Sequence, residues 1–265
     1  MRIAIAGATG RMGRTLIEAV LKDSALVFAG ALEVGGHPGI GKDAGEGLGT
    51  STRIPVTSDI EKVAATADCL IDFTRPAGTL AHLEACARSG AAMVIGTTGF
   101  EPAQKAKVAE FARRIPIVMA PNMAIGVNAT FKLAAMAAKI LGDSYDVEIV
   151  EAHHRHKVDA PSGTALKLGE MVAGALGRDL NAVAQHGREG ITGERETRTI
   201  GFHSIRGGDI VGDHTVIFAG EGERVEISVR SGSRMTYALG ALRAAHFLKG
   251  RAPGLYDMFD VLDLR

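Results

Sequence analysis

Five basic side chains in a row, His153-His154-Arg155-His156-Lys157, stand just ahead of Ala160-Pro161-Ser162-Gly163-Thr164-Ala165-Leu166. Ser162 is a natural helix cap, and no acid follows it before Glu170 to answer the positive end of a helix dipole. A metal, an anionic ligand and a solvated edge are the competing readings. If the run Tyr145 to His156 is one strand, His154 and His156 share a face as a potential chelating pair, and His153 shares the other with Glu151 and Arg155. Permanent positive charge at Arg155 and Lys157 opposes a cation, and each face offers one carboxylate at most, so no metal site is expected. An anion fits better. A ligand carboxylate at the helix start would approach Gly163 and take hydrogen bonds from the Ser162 and Thr164 hydroxyls, with His154 and Lys157 meeting a second anionic group. His153 is the candidate proton carrier, because histidine titrates near neutrality. Arg155 and Lys157 are expected to disfavour its charged form until an anion arrives.

A second constellation opens the chain. Gly7-Ala8-Thr9-Gly10-Arg11-Met12-Gly13 follows the apolar run Ile3 to Ala6 and precedes a helix-like stretch, and Glu33 closes the next apolar run 20 residues after Gly13. The spacing G-x-x-G-x-x-G differs from the commonest dinucleotide fingerprint, but its strand-to-helix context supplies the same parts. Glycines let backbone approach a pyrophosphate, a helix N-terminus offers open N–H groups, and an acid accepts hydrogen bonds from a ribose. Two further run ends, Gly96-Thr97-Thr98 and Ala120-Pro121-Asn122-Met123, carry small and polar residues where strands of such a sheet meet their ligand.

The elements that must position these residues read as two domains. Over residues 1–124, apolar strand-like runs alternate with helical stretches (IAIAG, RTLIEAVLK, LVFAGALE, and on to IPIVMAP at 115–121), which predicts a Rossmann-type doubly wound parallel sheet of the α/β class. Residues 125–234 read differently: a helix over 131–142, a strictly alternating strand over 145–156, and three alternating runs beyond residue 196. That grammar predicts an α+β domain with an open mixed sheet, one face of it solvated or in contact with another subunit. The segment 235–265 is expected to return to the first domain. Residues 35–49 hold seven glycines and are expected to form a mobile loop. Thirty basic residues balance thirty acidic ones, so nothing draws the chain toward nucleic acid or a membrane. No apolar run of membrane-crossing length is seen, and two cysteines without metal-type spacing fit a reducing, cytoplasmic setting.

Taken together, G-A-T-G-R-M-G (7–13), D-F-T-R-P (72–76), G-T-T-G-F (96–100), A-P-N-M (120–123) and E-A-H-H-R-H-K-V-D-A-P-S-G-T-A (151–165) resemble the 4-hydroxy-tetrahydrodipicolinate reductase (dihydrodipicolinate reductase) family. The resemblance spans essentially the whole chain, and its last motif is the most specific. It implies reduction of a cyclic imine dicarboxylate by NADH or NADPH in the diaminopimelate route to lysine, in a homotetramer joined through the second domains' sheets. It also implies His153 as proton donor or acceptor and Lys157 as proton donor, with His154, Gly163 and Thr164 on substrate carboxylates. Cofactor contacts would come from residues 7–13, Glu33, Gly96 to Thr98 and Ala120 to Met123. One departure bears on the cofactor: many members carry arginine after the acid of the second strand, and here the position is Val34. Glu33 without that arginine favours a free ribose hydroxyl over a phosphate, so NADH is expected to serve at least as well as NADPH, with Arg11 and Lys42 as candidate phosphate partners. Competing readings are a dehydrogenase of an acyclic amino or keto acid, and a nucleotide-sensing protein without turnover.

Overall fold

The computed structural model describes all 265 residues, which divide into two compact units: Met1–Ile125 with Arg234–Arg265, and Gly126–Ser233. The first unit holds β1 (Arg2–Ala6), α1 (Arg11–Lys22), β2 (Val27–Leu32), β3 (Val56–Thr57), α2 (Ile60–Thr66), β4 (Cys69–Asp72), α3 (Pro76–Ser89), β5 (Ala92–Ile95), α4 (Pro102–Phe111) and β6 (Pro116–Met119). After the second unit the chain returns to it with α8 (Met235–Leu248), β12 (Gly254–Tyr256) and α9 (Met258–Leu262). The second unit holds α5 (Ile125–Leu141), β7 (Asp146–His153), α6 (Gly163–Ala175), α7 (Leu180–Val183), β8 (Ala184–His186), β9 (Ile200–Arg206), β10 (Gly212–Ala219) and β11 (Arg224–Ser231).

In the first unit seven parallel strands run in the order β12-β6-β5-β4-β1-β2-β3. Because side chains alternate along a strand, each short apolar run feeds both faces at once. Ile3, Ile5, Cys69, Ile71 and Val94 join the core under α1 and α8, whereas Ala4, Ala6, Leu70, Met93 and Ile95 join the one under α2, α3 and α4. The strand order reverses between β1 and β4, and in such sheets the crevice beyond the carboxyl ends of the strands at that point is where ligands bind. The glycine-rich stretch 35–49 is a series of turns tied to Asp43. That carboxylate accepts from the N–H groups of Gly45, Thr52 and Arg53 and from the Thr52 hydroxyl.

In the second unit the order is β11-β10-β7-β9-β8, with β7, β8 and β9 mutually parallel and β10 antiparallel to both of its neighbours. Alternation is strict: Val147, Ile149, Glu151 and His153 of β7 point to the buried face, as do Gly212, His214, Val216 and Phe218 of β10. The lower half of that face is therefore apolar and the upper half polar. α6 packs over β7, β9 and β10.

The structure departs from two of the expected elements. The strand over 145–156 stops at His153, so the alternation argument does not extend to His154 and His156, which lie in the turn that follows. The helix expected over 131–142 begins at Ile125, and with the turn after it (Ile125–Ser144) it reaches the length and mean hydropathy, 1.2, of a membrane-crossing segment. Alanines sustain that mean where Lys132 and Lys139 interrupt any continuous apolar run. The helix buries Val127, Phe131, Ala134 and Ala138 at helical spacing, the pattern of a helix packed on one side. β3, β8, β12, α7 and α9, each of seven residues or fewer, carry no period long enough to read.

α8 meets the first unit backbone to backbone. A methyl group on Gly240 would lie 1.7 Å from the carbonyl oxygen of Met123, in the segment between β6 and α5. Gly240→Ala is expected to lower unfolding free energy by about 1–3 kcal/mol through overpacking, read as a lower urea midpoint with an unchanged slope. An unchanged midpoint would mean that this contact is loose.

Candidate active site

The first strand of the first unit ends in a turn that only glycine permits. Gly7 has φ +67°, and a Cβ on Gly13 would lie 2.1 Å from the Gly7 carbonyl oxygen, so the start of α1 sits directly on the loop backbone. Gly10 caps α1 without a side-chain bond and no acid stands in its first turn, which leaves the N–H groups of Arg11 and Met12 open to an anion. Ala8 is buried, with its N–H bonded to Leu32, whereas Arg11 is exposed. Glu33, just past β2, accepts from both the N–H and the hydroxyl of Thr9. Partial burial works against its charge, but the bonds from Thr9 and from the Val34 N–H outweigh it and hold the carboxyl below its ordinary range. Val34 is 70% exposed. Beside them His37 accepts from the Gly39 N–H at its Nδ1 (3.0 Å) and brings Nε2 to 3.4 Å from Thr9 Oγ1, a placement no spacing signals.

At the ends of β4 and β5 a fully buried carboxylate, Asp72, organises the Gly96-Thr97-Thr98 segment. Its Oδ1 accepts from Thr74 N–H (2.8 Å), the Thr74 hydroxyl (2.6 Å) and the Thr97 hydroxyl (3.2 Å), and its Oδ2 lies 2.7 Å from His82 Nδ1. Thr97 also accepts from Thr74 N–H and from the Thr79 hydroxyl, so its side chain serves the interior and leaves Thr98 and the backbone for a ligand. Ala120 N–H bonds Ile95, Asn122 Oδ1 accepts from Ala124 N–H, and Met123 is buried. A cleft of about 560 Å³ opens here, walled by Thr97, Thr98, Phe100, Met119, Pro121 and Tyr256.

The second unit carries the other cluster. Glu151 is 1% exposed and is held from three sides. Arg206, at the end of β9, grips it with both terminal nitrogens (2.8 and 2.7 Å), Ser162 N–H donates to Oε1 (3.3 Å), and His153 Nδ1 lies 2.6 Å from Oε2. Burial alone would push this carboxyl up, but the bonds from Arg206, Ser204 and His153 bring it down to about 2. His214 of β10 is in register with Glu151 and sets its ring edge-on to His153 at 5.1 Å. Its Nε2 lies 2.8 Å from Ser162 Oγ, while its Nδ1 is buried without a partner. Desolvation, and then the charge of a protonated His153, push His214 down to about 4.

Among the residues singled out from the sequence, His153, Ser162 and the start of α6 come together around Glu151. Ser162 is the N-cap: its buried Oγ accepts from Ala165 N–H (3.2 Å) and also lies against His214. Gly163 is exposed and Thr164 half-buried on the first turn of α6, and Lys157 pairs with Asp159 at 2.9 Å. His154 has a buried Nδ1 without a partner, and its ring centroid lies 6.2 Å from that of His156. The proton affinity of His153 is lowered, as expected, but the causes differ. Burial comes first, Glu151 opposes it, and the cations that add to it are Lys157 and Arg206; Arg155 is exposed and its backbone N–H bonds Gly208. Arg206 and His214 escaped sequence reading because only the pairing of β9 and β10 with β7 brings them to the cluster.

A histidine kept neutral by burial binds fewer protons folded than unfolded, so stability rises with pH across the interval between its folded and ordinary values. For His214 that interval runs from about 4 to 6.5 and corresponds to roughly 3 kcal/mol. His153 acts in the same direction. Urea unfolding should show stability falling on acidification from pH 7 to 4, with His214→Asn flattening the dependence above pH 4; a variant as acid-sensitive as the parent would contradict the assignment.

Comparison with known proteins matches one family along the chain, with its C-terminal part running on through the segment that returns to the first unit. The family described as "Dihydrodipicolinate reductase, N-terminus" matches residues 1–123, and "Dihydrodipicolinate reductase, C-terminus" matches residues 126–262. The chain is 64% identical over 265 residues to the 4-hydroxy-tetrahydrodipicolinate reductase of Aromatoleum aromaticum, covering 100% of this chain and 96% of that one. It is 62% identical to the enzyme of that name from Dechloromonas aromatica, covering 100% and 98%. Among solved structures, dipicolinate-bound dihydrodipicolinate reductase from Paenisporosarcina sp. TG-14 is similar, with a TM-score of 0.78, 26% identity and 98% of each chain covered. A two-unit chain matched along nearly its whole length by both halves of one family, and by full-length relatives above 60% identity, belongs to the dihydrodipicolinate reductase family.

Proposed function

We propose that this chain reduces 4-hydroxy-tetrahydrodipicolinate to tetrahydrodipicolinate, consuming one NAD(P)H and one proton and releasing NAD(P)⁺ and water, in the diaminopimelate route to lysine. The observation that carries the reading is the second unit's cluster: a protonatable His153 seated on a buried carboxylate, next to a helix start with an exposed glycine and no acid. A small cyclic dicarboxylate suits it. One carboxylate would take the N–H groups at the start of α6, at Gly163 and Thr164, where the helix dipole favours negative charge. His154, whose buried Nδ1 lacks a partner, would serve the same ligand. Lys157 would exchange Asp159 for the substrate and act with His153 as a proton donor. Ser162 caps α6 and ties it to Glu151 and His214, which sets the helix start where the ligand carboxylate would dock.

The first unit would hold the dinucleotide, which supplies the hydride when bound. The Gly7 to Gly13 turn and the uncapped start of α1 fit a pyrophosphate, since a side chain at Gly13 would occupy the space of the loop itself. Glu33 suits a ribose with free hydroxyls, and Thr98, Pro121 and the neighbouring backbone line the cleft where the reactive ring would lie. Val34 offers nothing to a 2′-phosphate. Arg11 is exposed on α1, and Lys42 is held only loosely by Glu46 at 4.0 Å, so these are the partners an added phosphate would find. The reading is therefore a dual-cofactor enzyme with NADH at least as effective as NADPH. The half-exposed sheet face bearing Glu148, Val150, Thr215 and Ile217 is the surface through which we infer a homotetramer assembles.

The test is oxidation of NADH and NADPH on adding freshly condensed pyruvate and aspartate semialdehyde. Turnover with both, and kcat/KM with NADH equal to or above that with NADPH, is expected; silence with both would remove the function, and a tenfold NADPH preference would remove the cofactor reading. His153→Gln and Lys157→Met should each lose about 10²-fold or more in kcat, the scale of general acid catalysis, while NADH affinity stays within about threefold. Undiminished turnover in either variant would take that residue out of the mechanism.

A further inference from the structure

Glu151 is a charge placed where a strand pattern calls for an apolar residue. Val147 and Ile149 precede it on the buried face of β7, and an unpaired carboxylate at that depth would be strongly destabilising. It is tolerated because Arg206 meets both of its oxygens, and Arg206 is itself fixed by the carbonyl oxygens of Asp159 and Ile205. Besides Arg206, the carboxylate takes the Ser162 N–H at 3.3 Å and, in the shortest contact of the set, His153 Nδ1 at 2.6 Å.

That bond has a chemical consequence. A carboxylate held ionised only accepts hydrogen bonds, so the proton on a neutral His153 must sit on Nδ1, and Nε2 is the nitrogen that gains and loses the second proton. The β10 position beside that nitrogen is Gly212, where a Cβ would stand 3.1 Å from His153 Nε2, so the glycine leaves room next to it. The groups facing His153 are Glu151 on its own strand, Arg206 from β9, His214 from β10 and Lys157 from the turn after β7. Burial, Lys157 and Arg206 discourage its protonation, His214 is itself pushed down by burial, and the carboxylate of Glu151 favours it.

We propose that Glu151, anchored by Arg206, is the positioning residue for proton transfer: it fixes His153 with Nδ1–H turned inward, presents Nε2 to the substrate beside Gly212, and keeps the ring basic enough to carry a proton. The proposal rests on the reading of His153 as the proton donor. In the transfer itself, the Nε2–H bond breaks, the proton passes to the substrate, and the ring returns to the neutral Nδ1–H form that Glu151 holds.

Glu151→Gln keeps size and an acceptor but removes the charge. It should lower kcat about 10-fold to 100-fold while leaving KM for substrate and for NADH within about threefold, and move the basic limb of the kcat/KM profile to lower pH by about one unit. Glu151→Asp, which restores charge at longer reach, should return the limb part of the way. In the His153→Gln background Glu151→Gln should cost nothing more. A limb that stays in place, or losses that multiply in the double variant, would overturn the proposal. A second measurement needs no folded Glu151 variant: ¹⁵N spectra of histidine-labelled enzyme, with the His153 signals assigned by their absence in His153→Gln, should show the neutral ring as the Nδ1–H tautomer. An Nε2–H tautomer would overturn the proposal equally. Should His153→Gln retain full turnover, the proton-donor reading itself falls; should it be inactive while the tautomer and the limb disagree with expectation, only the role of Glu151 falls.

Discussion

One buried carboxylate sets the terms for the second unit. Glu151 is stable in the interior only while Arg206, Ser162 and His153 surround it, and each of these comes from a different part of the chain. The register of the sheet is therefore bound to the chemistry. Glu151 stands opposite Ser204 on β9 and His214 on β10, and His153 stands opposite Arg206. A slip of one residue along β7 would turn Glu151 and His153 to the other face and leave Arg206 without its partner. The same carboxylate takes the Ser162 N–H, so the start of α6, proposed to receive a ligand carboxylate, is fixed relative to the histidine by a shared bond.

The first unit solves a different problem by different means. A dinucleotide phosphate is recognised best by backbone N–H groups, which requires backbone to come close, and the residues that matter there are those without side chains. Gly13 lets α1 rest on the Gly7 turn, and Gly240 lets α8 rest on the segment ending at Met123. Thr74 and Thr97 face inward around Asp72 and stiffen the strand ends from below. Backbone thus shapes the cradle proposed for the nucleotide, while charged side chains shape the site proposed for the dicarboxylate. The two kinds of precision fail differently: the first through added volume, the second through lost charge.

Much of this was legible in the sequence because it depends on local order. Runs such as Ile3 to Ala6 and Met93 to Ile95 are apolar on both faces and so announce buried parallel strands, and Ser162 before Gly163 announces a helix start. The pairing of Glu151 with His153 follows from their spacing of two on a strand. What the sequence withheld depends on neighbours in space. Arg206 lies 55 residues from Glu151 and His214 lies 52 from Ser162, so nothing local marks either as part of the cluster. Arg155 was credited with an influence on His153 that belongs to Arg206, since the strand ends at His153 and the turn carries Arg155 out to solvent. β12, three residues of Gly-Leu-Tyr, is a strand only because the edge of β6 is there to receive it.

The central claim is that a dicarboxylate and a proton bind together, the anion offsetting Lys157 and Arg206 and so charging His153. Calorimetry of pyridine-2,6-dicarboxylate binding near pH 7, in buffers of differing ionisation enthalpy, measures that coupling directly. The account predicts net proton uptake by the wild-type protein and none by His153→Gln. Binding without uptake in the wild type would contradict it, leaving the cluster around Glu151 as architecture without a proton to deliver.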